Sequence, residues 1–170
     1  AGENIMTKNY NRNKYNCSKC GAPTISDNTL GMKCPTFDIN DISQRIFDQF
    51  VGFLMGEGSI KIGFQRGAQG NVTTNASIVI ALRYDDAAVL KRFIEFFNGV
   101  GSYDFYEQKD AVIKRQPQFR WTITRASDIY SILTRIEEEA ILPFKKMNDV
   151  KIGIEWCQWR LSVGRKGYDP

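Results

Sequence analysis

The sequence predicts an α+β fold in which helices cover one face of an antiparallel sheet. Three observations support this prediction. Apolar residues recur at helical spacing in four segments, apolar and polar residues alternate in two pairs of segments, and glycine, asparagine or proline separates most of these elements. The predicted order from residue 43 onward is α-β-β-α-β-β-α-α, and 170 residues with 42% hydrophobic content suit one globular domain with a small appendage.

The predicted domain boundary falls between residues 42 and 43. Residues 1–42 hold three of the four cysteines and show no sustained hydrophobic periodicity, so we interpret them as an extension with little core of its own. Residues 43–170 form the predicted core. No apolar run approaches the roughly 20 residues that cross a bilayer, and the polar start lacks the apolar segment of a signal peptide. We therefore expect an intracellular protein, in a prokaryotic cytoplasm or an organelle, that is neither secreted nor bound to a membrane.

The first predicted helix and hairpin follow this boundary. Asp41 and Ser43 are good N-cap residues ahead of six apolar residues at helical spacing, and the Gly-Glu-Gly sequence at 56–58 ends the helix. Apolar and polar residues then alternate along 59–65 and 77–83. This pattern predicts two strands of a hairpin that bury one face.

The second predicted helix and hairpin repeat this arrangement. An Asp-Asp pair at 85–86 caps a helix with an apolar stripe, and Asn-Gly at 98–99 stops it. Residues 102–107 and 118–124 form the second predicted hairpin.

Two further helices are predicted at the C-terminal end. Ser127 is the expected N-cap of the third helix, and Pro143 separates it from the fourth. The apolar stripe of the fourth helix is expected to include Cys157 and Leu161. We interpret Cys157 as a small buried hydrophobic residue.

The charge of the chain restricts its chemistry. Lys and Arg number 23 against 19 Asp and Glu, which gives a net charge of +4, and the bases concentrate in the C-terminal half. The mild excess is compatible with a polyanionic partner. The chain has no histidine, which excludes Ser-His-Asp and Cys-His catalysis and the His-based zinc hydrolases. Any catalysis must use carboxylates, lysines, tyrosines, the backbone or a metal held by oxygen.

Polar side chains alternate away from the predicted core along all four strands. Arg, Lys, Gln and Asn are the residues that read base edges in a major groove, so we interpret this face as DNA-binding. A sheet that is merely exposed to solvent would also be polar. The predicted DNA-binding residues, including two from the basic loop of the second hairpin, are Lys61, Gln65, Asn75, Ser77, Arg83, Tyr106, Lys114, Arg115, Gln118 and Arg120.

Two glycines four residues apart, Gly52 and Gly56, stand inside the first helix. Each costs about 1 kcal/mol relative to alanine, so a compensating role is expected. Glycines at this spacing leave one helix face bare, which lets a second helix approach closely. If the partner is the same helix of a second chain, the following Glu57 from each chain would lie side by side. The alternative is that Glu57 merely ends a buried helix.

The segment FVGFLMGEGS at 50–59 resembles the motif of the LAGLIDADG homing endonucleases. It matches the glycine at the third position, the small residue at the seventh, the acid at the eighth and the glycine at the ninth. The α-β-β-α-β-β-α order over residues 43–163 is also similar to the fold of that family. The resemblance implies a homodimer of single-motif chains whose antiparallel sheets form a saddle over double-stranded DNA.

The resemblance also implies an activity, which is metal-dependent, site-specific cleavage of both strands of a long, near-palindromic target by an enzyme encoded in an intron or similar mobile element. By position, Glu57 with the backbone of Gly56 would bind Mg²⁺ or another divalent cation. Lys145 would be the basic residue near the cleaved phosphates. Met55 replaces the acid usual at the sixth motif position, and Tyr84 stands where the family often has glutamine. No membrane partner and no organic cofactor are implied.

Other functions remain open at the level of sequence. A non-catalytic nucleic-acid-binding protein, such as an RNA maturase or a regulator, could use the same scaffold, although it would have no need of the carboxylate of Glu57. Cys17, Cys20 and Cys34 could bind zinc if a fourth ligand completes the site, form a disulfide, or remain free. If these cysteines were the functional centre, the protein would be a zinc-knuckle RNA-binding protein.

Overall fold

The computed structural model describes residues 38–70, 72–107 and 116–163. Residues 1–37, residue 71, residues 108–115 and residues 164–170 lie outside the described part. Within the described ranges, no helix has both the length and the apolar character needed to cross a membrane.

The order of helices and strands along the described chain matches the prediction. Short 3-10 turns at Ile39–Asp41 and Tyr84–Asp86 precede the first and second helices. The elements are α1 (Gln44–Glu57), β1 (Gly58–Arg66), β2 (Val72–Arg83), α2 (Ala87–Phe96), β3 (Ser102–Tyr106), β4 (Gln118–Ile123), α3 (Ala126–Glu139) and α4 (Phe144–Val163). The predicted α+β class is therefore confirmed.

The four strands form one antiparallel sheet in the order β1-β2-β4-β3. The two hairpins join through β2 and β4, where Ile80 lies opposite Trp121. Tyr103 of β3 also lies opposite Trp121. This register directs the even-numbered residues of β1 and β2 and the odd-numbered residues of β3 and β4 to the helices. The opposite residues of each strand form the other side, which we call the outer face.

Aromatic side chains join α1 to the sheet and to α2. Phe50 of α1 is fully buried, and its ring centroid lies 4.7 Å from that of Phe97 and 5.9 Å from that of Trp121. The indole Nε1 of Trp121 donates a hydrogen bond to the carbonyl of Val100 at 2.7 Å. Burying one such side chain stabilises the fold by about 1.5–3 kcal/mol, so these contacts fix α1 firmly on the sheet.

Glycine allows α3 and α4 to approach closely. A Cβ built at Gly153 would lie 2.5 Å from Cδ1 of Leu133. Cys157 is fully buried, and burial raises the pKa of its thiol to about 11. Leu161 is about half exposed, so the prediction that the apolar stripe extends to this residue is wrong. Cys157 is the last fully buried side chain of α4.

The helix boundaries differ in detail from the predicted caps. Ser127 is not the N-cap of α3, because the helix begins at Ala126 directly after the extended residue Arg125. The Ser127 carbonyl instead accepts a hydrogen bond from Ser131 Oγ at 3.0 Å. The predicted stop of α2 is confirmed, since Asn98 and the glycine after it have left-handed φ angles of 52° and 73°.

Packing of the core begins before the predicted boundary at residue 42. Ile39 and Ile42 are buried, and their carbonyls accept hydrogen bonds from Nη1 of Arg135 at 2.7 and 2.9 Å. The guanidinium of Arg135 also lies 4.1 Å from the ring centroid of Phe47 and pairs with Glu139 at 3.1 Å. The segment before α1 is therefore part of the packed structure from Ile39 onward. The extent of the preceding extension stays a prediction.

Candidate active site and nucleic-acid interface

The outer face of the sheet carries polar side chains on all four strands, and none of its residues is buried. Strand register sets these side chains in rows across the sheet. The described DNA-binding candidates all lie on this face: Lys61, Gln65, Asn75, Ser77, Arg83, Tyr106, Gln118 and Arg120. Lys114 and Arg115 lie outside the described residues. The role of the whole set stays a prediction.

Glycine makes room on the outer face for an amide. Gly63 lies opposite Asn75 in the β1–β2 ladder. A Cβ built at position 63 would lie 2.7 Å from Oδ1 of Asn75. The glycine therefore leaves the space that this exposed side chain occupies, a relation that the sequence alone does not reveal because it depends on strand register.

The outer face carries two charged residues on each hairpin, Lys61 and Arg83 on β1 and β2, and Asp104 and Arg120 on β3 and β4. Nε of Arg120 lies 3.7 Å from Oδ1 of Asp104, and its Cζ lies 4.6 Å from the ring centroid of Tyr106. Arg83, at the end of β2, pairs with Asp85 at 2.9 Å. The other outer-face residues of β1 and β2 are uncharged, five with hydroxyl or amide side chains and the rest Gly63, Val79 and Ala81. The first hairpin therefore contributes two positive charges to this face, whereas the two charges of the second hairpin have opposite sign.

Glu57 is the last residue of α1, and Gly58 begins β1 without an intervening loop. Its side chain is exposed. A carboxylate at the C-terminal end of a helix is destabilising by about 0.3–1 kcal/mol, because the helix dipole is negative there. A Cβ built at Gly58 would lie 2.7 Å from Cα of Leu54, so this junction requires glycine. A functional role for Glu57 would explain why an acid stands in this unfavourable position.

A lysine from α4 reaches this junction. Nζ of Lys146 donates a hydrogen bond to the carbonyl of Gly58 at 2.9 Å. A cation at this end of α1 offsets the helix dipole. Lys145, the residue predicted by resemblance, is exposed and neighbours Lys146 in the chain. The sequence analysis named Lys145 and not Lys146, because consecutive helical residues point about 100° apart and the sequence does not show which of the two faces this junction.

The glycine face of α1 is open. Gly52 and Gly56 are exposed, and among the described residues no atom outside the local chain lies within 4 Å of a Cβ built at either position. Contacts within the described chain therefore give no reason for these glycines. The predicted dimer interface stays a prediction, and the open face is compatible with it.

The described residues hold no cluster of three or more Cys, Asp or Glu side chains able to bind a metal ion. Cys17, Cys20 and Cys34 lie outside the described part of the chain. A metal site built only from the described residues would therefore have to use few protein ligands.

Comparisons with known proteins give relatives only at the level of structure. No family model matches the chain, and no curated protein sequence matches it. One similar solved structure is that of the homing endonuclease I-CvuI in complex with the I-CreI target, in which the DNA is not cleaved in 2 mM Mg. Its TM-score is 0.55 and its identity is 12%, over 71% of this chain and 70% of that one.

Two further solved structures are similar. The homing endonuclease I-TnaI has a TM-score of 0.50 and 23% identity, over 66% of this chain and 71% of that one. The LAGLIDADG homing endonuclease I-SmaMI, bound to cleaved DNA, has a TM-score of 0.52 and 18% identity over 75% of this chain. The match spans 41% of the I-SmaMI chain.

Proposed function

We propose that this chain, which has the fold of the LAGLIDADG homing endonucleases, is a divalent-metal-dependent, site-specific DNA endonuclease that acts as a homodimer. The observation that supports this most strongly is the junction at Glu57. An exposed carboxylate ends α1 directly before a sheet whose outer face carries polar side chains on all four strands. The solved structures of I-CvuI and I-SmaMI hold DNA, which supports a DNA substrate for this fold.

The open glycine face of α1 supports a homodimer. One chain supplies one motif and one acid, whereas cutting both DNA strands requires two. Gly52 and Gly56 leave a bare surface next to Glu57. Packing of this surface against the same surface of a second chain forms a two-fold contact and brings the two carboxylates together.

The groups near Glu57 fit a hard divalent cation. Glu57 offers a carboxylate and Gly56 a backbone carbonyl, and oxygen is the ligand that Mg²⁺ prefers. We propose that these groups, together with phosphate oxygens and water, hold Mg²⁺ at the scissile phosphate. When bound, the cation supplies charge neutralisation and favours loss of a proton from the attacking water.

The remaining residues of the chain bind and orient the DNA. The side chains of the outer face contact the edges of the DNA bases. The basic residues of the hairpin loop, Lys114 and Arg115, contact phosphates. Lys146 holds the junction after Glu57 through the Gly58 carbonyl, and Lys145 on the adjacent exposed position contacts the DNA backbone. Substitution of Lys146 by Met keeps the aliphatic stem and removes the charge.

The testing experiment measures binding and cleavage on one preparation. Wild-type protein is incubated with a randomised duplex library in Mg²⁺, and the cut ends are sequenced; binding is measured in Ca²⁺, which replaces Mg²⁺ at oxygen ligands. We expect ends with one consensus. Glu57→Gln should lower the cleavage rate by at least 100-fold (~3 kcal/mol of transition-state stabilisation) while binding persists. Glu138→Gln, on the exposed end of α3, is the matched control and should cleave like the wild type.

The outcomes separate the proposal from its alternative. Full cleavage by Glu57→Gln would end the catalytic assignment. Sequence-specific binding without cleavage by the wild type would favour the non-catalytic nucleic-acid-binding protein. Lys146→Met should slow cleavage roughly tenfold. Comparison of its cleavage rate with that of Lys145→Ala shows which lysine contributes more to the rate.

Zinc at the N-terminal cysteines is a separate proposal. Cys17, Cys20 and Cys34 offer three thiolates, and a carboxylate or a partner chain would supply the fourth ligand. Metal analysis of protein purified without chelator should give about one zinc per chain. Zinc content that is unchanged in a Cys17→Ser, Cys20→Ser variant would contradict this site.

A further inference from the structure

We propose that Arg120 reads one guanine in each half of the DNA target, and that Asp104 and Tyr106 hold its guanidinium in the reading position. This inference rests on the proposed function, since it assumes that the outer face binds DNA. It adds a base identity to one position of that face.

Arg120 occupies an interior position of the outer face. It lies on β4, between β2 and β3, with Ala81 opposite it on one side and Asp104 on the other. Ala81 has no side chain beyond Cβ, so the β2 residue directly opposite Arg120 is small. A sheet that enters the major groove presents its interior strands to base edges and its margins to phosphates. The strand position of Arg120 therefore favours a base contact.

The two partners of Arg120 leave its donor fork available. The carboxylate of Asp104 lies 3.7 Å from Nε, the nitrogen nearest the chain, and neither terminal amino group makes a hydrogen bond to a described residue. The ring of Tyr106 lies 4.6 Å from Cζ and supports the face of the guanidinium plane. Only 31% of the Arg120 side chain is exposed, compared with 62% for Arg83. An arginine restrained in this way loses less rotamer freedom when it binds.

Guanine is the base that this arrangement fits. It presents two acceptors, O6 and N7, side by side in the major groove, and the two terminal amino groups of arginine match them. Adenine presents a donor beside its N7, and cytosine presents a donor, so both leave arginine donors unpaired. The contribution of Asp104 and Tyr106 is to orient the fork before DNA arrives.

The test is a selection of bound sequences from a randomised duplex library in Ca²⁺, so that cleavage does not interfere. The wild type should enrich guanine at one position in each half-site. Arg120→Lys keeps the charge but loses the fork, and its preference for guanine at that position should fall about tenfold or more. Tyr106→Phe keeps the ring and should keep the preference, whereas Tyr106→Leu should weaken it.

A matched control exists on the helical side of the sheet. Arg92 of α2 also pairs with a carboxylate, that of Glu95 at 3.0 Å, and also lies over an aromatic ring, that of Phe96 at 4.8 Å. Arg92→Lys should leave the selected consensus unchanged. Thermal unfolding of all variants confirms that their folds are intact.

Each outcome decides the inference. Loss of the guanine preference in Arg120→Lys, but not in Arg92→Lys, supports it. If Arg120→Lys selects the wild-type consensus, the inference is wrong even if Arg120→Ala binds all sequences more weakly with a shallower salt dependence, because that pattern identifies a phosphate contact. If the wild type itself selects no consensus, the proposed function fails and the inference fails with it. The wild-type selection thus separates the two failures.

Discussion

Asp128 is a carboxyl buried in the first turn of α3, and burial raises its pKa above the ordinary 3.8 while the charge of Arg125 partly opposes this. A folded-state pKa above the unfolded value means that the acid contributes stability below the unfolded pKa, and that this contribution is lost as pH rises through the folded pKa. At pH 7 the ionised Asp128 therefore destabilises the fold.

The substitution Asp128→Asn tests this sign. We expect a higher free energy of unfolding than the wild type at pH 7, and a difference that shrinks as the pH falls towards 3.8. Urea unfolding at several pH values measures it, with Glu138→Gln as an exposed-acid control that should show little change. A variant that is less stable than the wild type at pH 7 would mean that the carboxylate makes favourable contacts that outweigh its burial.

Among the described residues, Arg135 is the other buried charged residue. Arg135→Ala removes the donors to the carbonyls of Ile39 and Ile42 and the contact with Phe47. We expect a loss of about 3 kcal/mol, because buried carbonyls left without donors lose both the hydrogen bond and their solvation. Denaturant unfolding measures this loss. An effect below about 0.5 kcal/mol, typical of an exposed site, would show that the segment before α1 is not held by Arg135.

Sequence could identify candidate residues but not their contacts. The exposed polar positions of the strands follow from alternation, and eight of them share the outer face as expected. The hydrogen bond from Lys146 to Gly58 could not be predicted, because it joins residues 88 apart in the chain and depends on the rotation of α4. The hydrogen bonds of Arg135 to two carbonyls also could not be predicted from the sequence, because their acceptors belong to the backbone.

At the scale of elements, α1 carries the clearest prediction. Gly52→Leu places a bulky side chain on the open face, where the isolated chain has room for it. The fold of one chain should therefore survive, and α1 should gain about 1 kcal/mol of intrinsic helix propensity. The dimer should dissociate, because the helices can no longer approach closely.

Sedimentation over a range of protein concentrations measures the effect of Gly52→Leu. Circular dichroism of the same samples checks that the helices persist. A dimer of unchanged affinity and full activity would show that this face of α1 is not the interface.

The order of elements was predictable because most of them have a strong period and a clear end. The left-handed residues that stop α2 illustrate this, as does the glycine that ends α1. Cap positions were less predictable, because the start of α3 depends on the backbone conformation of the residues between β4 and α3. The exposed end of α4 has a similar cause: an apolar residue such as Leu161 follows the helical period beyond the region that the core covers. Strand order required the tertiary structure, since hairpins alone do not say which of their strands meet.

The whole molecule carries a net charge of +4, and the proposed DNA binding should therefore depend on salt concentration. Replacing Lys114 and Arg115 together by Ala should reduce the slope of log affinity against log salt concentration by about 1.8 if each contacts one phosphate. Titrations at several salt concentrations measure the slope, and the double variant Lys151→Ala, Glu155→Ala on α4 preserves net charge as a control. An unchanged slope in the loop variant would mean that the loop does not touch the DNA backbone.

The direct junction of α1 and β1 has a consequence for how such a protein could change its target. Because Gly58 begins the strand immediately after Glu57, the acid and the outer-face side chains share one rigid frame, and Lys61 lies about 13 Å along the chain from Glu57. Under the proposed function, substitutions on the outer face would alter which bases are preferred without shifting where the DNA backbone is cut. The recognised sequence could then change while the position of the cut stays the same. A lineage of such proteins could in this way follow a mutating target without changing the position at which it is cut.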